Sequence, residues 1–137
     1  MSAPIKLVIP GKPIAKKRPR FARRGNFVIT YNEQQTEEGK WVLTARSQMD
    51  GRRFEGPVEL HVFFEMPIPK STSQKKRLLM ERGDICHTRR PDLDNCIKFI
   101  KDCLNGEAWA DDSQIVNINA TKVYGAEPKT TIVIKER

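Results

Sequence analysis

Residues 89–104 read Arg89-Arg90-Pro91-Asp92-Leu93-Asp94-Asn95-Cys96-Ile97-Lys98-Phe99-Ile100-Lys101-Asp102-Cys103-Leu104, and the fold follows from how this run must sit. Ile97, Ile100, Lys101 and Leu104 recur at i, i+3, i+4 and i+7, and Cys96, Phe99 and Cys103 add a second apolar face. A helix apolar on two sides is buried, so 95–104 is expected to be a central helix lying against a sheet. Asn105-Gly106 supplies its stop. Pro91 disfavours helical angles at Arg90, so the chain enters extended. Asp94 or Asn95 is then the natural N-cap. In an extended Asp92-Leu93-Asp94 the two carboxylates share a face, and the i,i+4 step brings Lys98 beside Asp94.

The sheet comes from the flanks. Val58, Leu60, Val62, Phe64 and Met66 alternate along the clearest strand pattern in the chain, with His61 on the opposite, surface parity. Residues 5–9, 115–123 and 130–134 are further β-prone runs bounded by turn residues, and 27–31 suits a short strand or hairpin arm. Trp41, Val42, Ala45 and Met49 recur at helical spacing along a run from Gln34 to about Gln48, and Trp41 reads as core rather than as a base-stacking platform. Residues 73–82 suit a short basic helix with a Ser cap, stopped by Gly83. The expectation is an α+β fold: one domain over residues 1–137, a mixed sheet of about four to five strands against about three helices.

A length of 137 residues fits one core, and a net charge of +8 with pI near 9.6 attracts polyanions. Nucleic acid, an acidic membrane surface and an acidic protein all fit that field. No apolar run approaches the ~20 residues of a membrane span, and the first residues do not resemble a signal peptide. Cys96 and Cys103 read as small core residues of a reduced, cytoplasmic protein. With Cys86 and His87 they lack the paired short spacings of a zinc site.

Seven Lys/Arg fall within 12–25. The run is either a solvated loop or an arm gripping phosphates, because cations displace the counterions of a nucleic acid backbone. Against this positive field, Asp92, Asp94 and the Asp111-Asp112 pair stand out. Clustered carboxylates repel unless a cation lies among them, and hard oxygen donors suit Mg²⁺. Lys98 is placed to offset charge building on a phosphoryl group. Each acidic pair alone reads as caps and turns; their conjunction around a buried helix points to metal-dependent phosphodiester chemistry. A non-catalytic basic nucleic-acid-binding protein and an enzyme acting on a small phosphorylated metabolite remain alternatives. Acyl and cysteine-nucleophile chemistry lack their motifs.

As one string, Arg90-Pro91-Asp92-Leu93-Asp94-Asn95 with Lys98, Asp102-Cys103-Leu104-Asn105-Gly106 and Asp111-Asp112-Ser113-Gln114 resembles the RusA family of Holliday junction resolvases, in the form common in phages and prophages. Gly11-Lys12-Pro13 and Arg18-Pro19-Arg20-Phe21 resemble that family's N-terminal segment. The resemblance implies a homodimeric endonuclease that binds four-way DNA junctions and makes paired nicks with Mg²⁺, Mn²⁺ substituting, and no small-molecule cofactor. By position in the motif, Asp92, Asp94 and Asp112 correspond to the catalytic, metal-binding aspartates and Lys98 to the catalytic lysine. Asp111 is a further metal-ligand candidate. The DNA-gripping candidates are Lys12, Lys16, Lys17, Arg18, Arg20, Arg23, Arg24, Arg89 and Arg90.

Overall fold

A computed structural model describes residues 3–17, 20–24, 27–31 and 35–137, with backbone alone for 20–24, 27–31 and Gln35. Strands β1 (Ile5–Pro10), β4 (Val58–Met66), β5 (Ile115–Tyr124) and β6 (Lys129–Glu136) form a mixed sheet in the order β1-β6-β4-β5. β4 runs antiparallel to β6 and parallel to β5. β2 (Arg20–Arg24) and β3 (Phe27–Tyr31) pair as a separate antiparallel ribbon, the hairpin arm the sequence suggested. Three helices, α1 (Gln35–Met49), α2 (Gln74–Glu81) and α3 (Leu93–Leu104), complete the α+β architecture.

The alternation in β4 does what the pattern predicts. Val58, Leu60, Val62, Phe64 and Met66 are buried, while His61 and Phe63 lie on the opposite face, Phe63 half exposed. On the buried side α1 contributes Trp41, Ala45 and Met49, and α3 contributes Cys96, Phe99, Ile100, Cys103 and Leu104. The two helices meet edge-to-face at Trp41 and Phe99, ring centroids 6.0 Å apart. Truncating a fully buried ring such as Phe99 to alanine removes on the order of 3–5 kcal/mol. All three cysteines are free thiols, Cys96 and Cys103 within this core.

The entry to α3 differs from the sequence expectation. Asp92, not Asp94 or Asn95, is the N-cap, at φ −70° and ψ 144°. Asp94 lies inside the first helical turn, so the extended Asp92-Leu93-Asp94 face does not form. The reason is Pro91. It keeps only the residue before it out of helical angles, so the helix is free to start as soon as the proline is passed, with Asp92 at the cap.

The sheet's two edges are treated differently. At β1, Val8 N donates to Gln48 Oε1 and Gln48 Nε2 donates to Val8 O, both at 2.7 Å. Pro10, which has no N–H, closes the same strand. At the other edge, among the described residues, β5 pairs only with β4.

Candidate active site

The N-terminus of α3 is where the chain gathers opposite charges. Asp92 occupies the cap position yet its side chain makes no capping hydrogen bond. It lines a cleft of about 930 Å³ together with Asn95, Arg90, Lys12 and Lys17. The basic segment after β1 is held against α3 by Lys16, whose backbone N–H donates to Asn95 O at 3.0 Å. Asp94 is exposed in the first turn, where the helix dipole favours a carboxylate. Lys98 Nζ stands 4.0 Å from Asp94 Oδ2 across the expected i,i+4 step. Asp92, Asp94 and Lys98 thus share the first turns of one helix, and Arg89 and Arg90, both exposed, precede them.

The basic candidates divide. Lys12, Lys17 and Arg90 line the cleft. Lys16 is held within the fold instead, 2.9 Å from Glu38 Oε1 and 3.1 Å from Asp102 Oδ2. Burial pulls its pKa down, but the Glu38 and Asp102 carboxylates outweigh this and leave it raised. Lys16 joins the basic segment to α1 and α3, a contact across 22 residues of chain that charge counting could not foresee. Arg20, Arg23 and Arg24 belong to β2, and Arg18 lies outside the described residues.

The third aspartate is elsewhere. Lys122 Nζ, near the C-terminal end of β5, donates to Arg89 O at 2.8 Å and Pro91 O at 3.0 Å. The start of α3 therefore lies over the end of β5, and α3 runs back toward the start of that strand. Asp112 sits just before β5 and after α3, whose 12 residues span about 18 Å. Asp112 is thus at the far end of α3 from Asp92. Among the described residues no group of three His, Cys, Asp or Glu side chains is close enough to hold one metal ion.

The structure also separates two aspartates that sequence could not tell apart. Asp111 caps the 3₁₀ turn Asp112–Gln114, with Ser113 N donating to Asp111 Oδ2 at 3.0 Å; the Ser113 side chain first, and then this backbone N–H, hold the Asp111 carboxyl below its ordinary range. Asp112 has a different partner, the fully buried Trp109, whose Nε1 donates to Asp112 Oδ1 at 2.9 Å. Gln114 anchors the turn. Its Oε1 accepts from Ala110 N and Asp111 N, and its Nε2 donates to Phe54 O and Gly56 O. The motif glutamine is therefore the brace that fixes Asp112 at the head of β5.

Beneath the acids the surroundings are positive. The Cys96 thiol is pushed up to about 11, first by burial and then by Asp92 and Asp94 against the opposing pull of Lys122. His87 rests edge-on to Tyr124, ring centroids 4.9 Å apart, and its buried Nδ1 has no hydrogen-bond partner. Burial lowers its pKa, and Lys122, Arg89 and Lys12 lower it further. Lys122 drew no notice in the sequence. The signal was there: it shares parity with Ile118, Ala120 and Tyr124, the inward face of β5.

The Pro-Asp-x-Asp-Asn stretch opens α3 beside the cleft, and the Asp-Asp-x-Gln stretch forms the braced turn ahead of β5. The family described as Endodeoxyribonuclease RusA matches residues 10–135, nearly the whole chain. The chain belongs to the RusA endodeoxyribonuclease family. RusA proteins are nucleases of Holliday junctions, so branched DNA is the class of substrate and phosphodiester cleavage the class of reaction. A relative from Bacillus subtilis (strain 168), described as "Uncharacterized protein YqaN", is 35% identical over 136 residues, 96% of each chain. Among the described residues no helix is long and apolar enough to cross a membrane.

Proposed function

We propose that this RusA protein is a Mg²⁺-dependent resolvase that works as a homodimer and cuts four-way junctions by paired, symmetric nicks. The observation that carries the reading is Asp92. It occupies an N-cap without capping, and it lines the cleft formed with Lys12, Lys17 and Arg90. An aspartate placed there only to start a helix would be bonded to the first-turn amides.

The chemistry of the donors supports a hard metal. Asp92 and Asp94 offer hard anionic oxygens, and Mg²⁺ or Mn²⁺ typically takes one or two carboxylates, with water and phosphate oxygens making up the rest. When bound, the cation would polarise a phosphate oxygen and lower the pKa of an attacking water. The remaining work falls to the chain. Lys12, Lys17 and Arg90 hold the DNA backbone in the cleft by charge, which sets a phosphate beside Asp92. Lys98 supplies positive charge as negative charge builds on the phosphoryl oxygens.

Asp112 enters this reading from a second copy. β5 is an open edge, and open edges pair. Antiparallel pairing about a two-fold axis near the middle of β5, at Ile118, would set the start of β5 opposite the end of β5 of the partner subunit. Asp112, just ahead of Ile115, then arrives at the end of the sheet where the partner subunit's Asp92 stands. Two such sites, related by the two-fold, suit a junction cut in two opposed strands.

The second reading is a junction-binding module without catalysis, favoured by the absence of a three-acid cluster within one chain among the described residues. A labelled synthetic four-way junction and a linear duplex of the same sequence separate the two. Symmetric nicks on the junction alone, lost in EDTA and in Asp94→Asn, are the result expected of the resolvase. Tight binding without metal-dependent cutting would leave the binding module.

A further inference from the structure

Lys122 is a cation in a place where a cation is unfavourable. It lies on the inward face of β5, half-buried, opposite the fully buried Phe64 of β4. Among the described residues no carboxylate pairs with it. Its charge acts on a buried thiol, Cys96, and on an imidazole, His87, with a buried unpartnered nitrogen.

What Lys122 does make is specific. Two of its three N–H groups go to the carbonyls of Arg89 and Pro91, at 2.8 and 3.0 Å. Those carbonyls straddle Arg90 and immediately precede Asp92. Ile85 and His87 pack the earlier part of the segment between α2 and α3, whereas Thr88, Arg89 and Arg90 are all exposed. Lys122 therefore fixes both the cleft residue Arg90 and the backbone that aims the Asp92 carboxylate.

We propose that Lys122 is a positioning residue for catalysis, a clamp from the sheet that holds the Arg89–Pro91 backbone so that Asp92 meets the metal and the scissile phosphate in register. The inference rests on the resolvase reading. It assigns Lys122 no contact with DNA or metal. Residues that orient metal ligands from behind typically change metal affinity or activity by about 10- to 100-fold when removed.

The test compares wild type with Lys122→Met, Lys122→Gln and Lys122→Arg for single-turnover nicking of a four-way junction across a Mg²⁺ titration. Junction affinity in EDTA and thermal midpoint are measured in parallel. The expected result is nicking reduced about 10- to 100-fold in the Met and Gln variants. Half-maximal nicking should need more Mg²⁺, with junction affinity and thermal midpoint held near wild type, and Arg, which keeps charge and donors, should recover much of the loss. Nicking by the Met or Gln variant at the wild-type rate and Mg²⁺ requirement would overturn the proposal. So would a fall in binding that matches the fall in nicking, which would make Lys122 a phosphate contact. So would nicking losses that merely track a lowered thermal midpoint across all three variants. Wild type that nicks no junction would remove the resolvase reading itself, a result distinct from all of these.

Discussion

Mixing two inactive variants tests how the aspartates assemble. Asp92 and Asp112 stand at opposite ends of α3, whose 12 residues span about 18 Å. Oxygen ligands of one Mg²⁺ sit about 2.0–2.1 Å from the ion, so two of them lie within about 4–5 Å of each other. One chain therefore cannot place both acids on one ion, whereas the proposed β5 edge pairing would bring them together from two chains. Asp92→Asn and Asp112→Asn proteins should each be inactive alone. Co-refolded in equal amounts, half of the pairs are mixed. In a mixed pair one site carries both substitutions and the other carries neither. About a quarter of the wild-type number of sites is thus restored, one per mixed pair. On a supercoiled plasmid bearing a cruciform the mixture should yield nicked circles, since only one of two opposed strands is cut per pair. Wild type should yield linear DNA. A mixture no more active than its components, with exchange shown by tagged subunits, would refute assembly across two chains.

Four further outcomes follow from the same contacts. Asp92→Asn should abolish nicking while keeping junction affinity and shifting stability by under about 0.5 kcal/mol, because the side chain makes no cap bond to lose; a loss near the ~1 kcal/mol of a working cap, read by urea unfolding, would return Asp92 to architecture. Gln114→Ala severs four hydrogen bonds and should destabilise by roughly 2–3 kcal/mol, with Asp112-dependent nicking falling in step; unchanged stability would deny Gln114 its bracing role. Lys98→Ala should lower turnover more than affinity, and equal losses would make Lys98 a phosphate contact. His87 is held below its ordinary pKa, first by burial and then by the cations around it. The unfolded chain therefore takes up this proton first as pH falls, and the His87 contribution to stability, full above about pH 6.5, is lost as pH drops below that value. Urea midpoints between pH 7 and 5 should fall less steeply in His87→Asn, and identical slopes would remove the assignment.

The sequence carried whatever is decided within one element. The alternation of β4 and the two-sided apolar pattern of α3 follow from pleat and helical period, and both form as read. Lys98 meets Asp94 because four residues make one helical turn. The cap of α3 was misplaced by two or three residues, since the effect of Pro91 reaches no further than its neighbour. Contacts between distant segments were out of reach. Lys16 meets Asp102, Lys122 meets Pro91 and Gln114 meets Phe54 only once the sheet order is set. The separation of Asp112 from Asp92 was latent in the 12 helical residues between them, but only the direction of α3 over β5 makes it plain.

The side chain of Gln48 acts as a terminator. A sheet with both borders available could add copies at each end, and an association that begins at β5 would continue at β1 into an open-ended ribbon. Val8 offers its outward N–H and C=O to Gln48 rather than to a newcomer, and Pro10 has no hydrogen to offer. The β1 border is thus blocked at Val8 and Pro10, and a two-fold pairing at β5 would use that border up in both copies. Under the proposed pairing the assembly would stop at two copies, which matches the number of strands that must be cut for a junction to fall into separate duplexes.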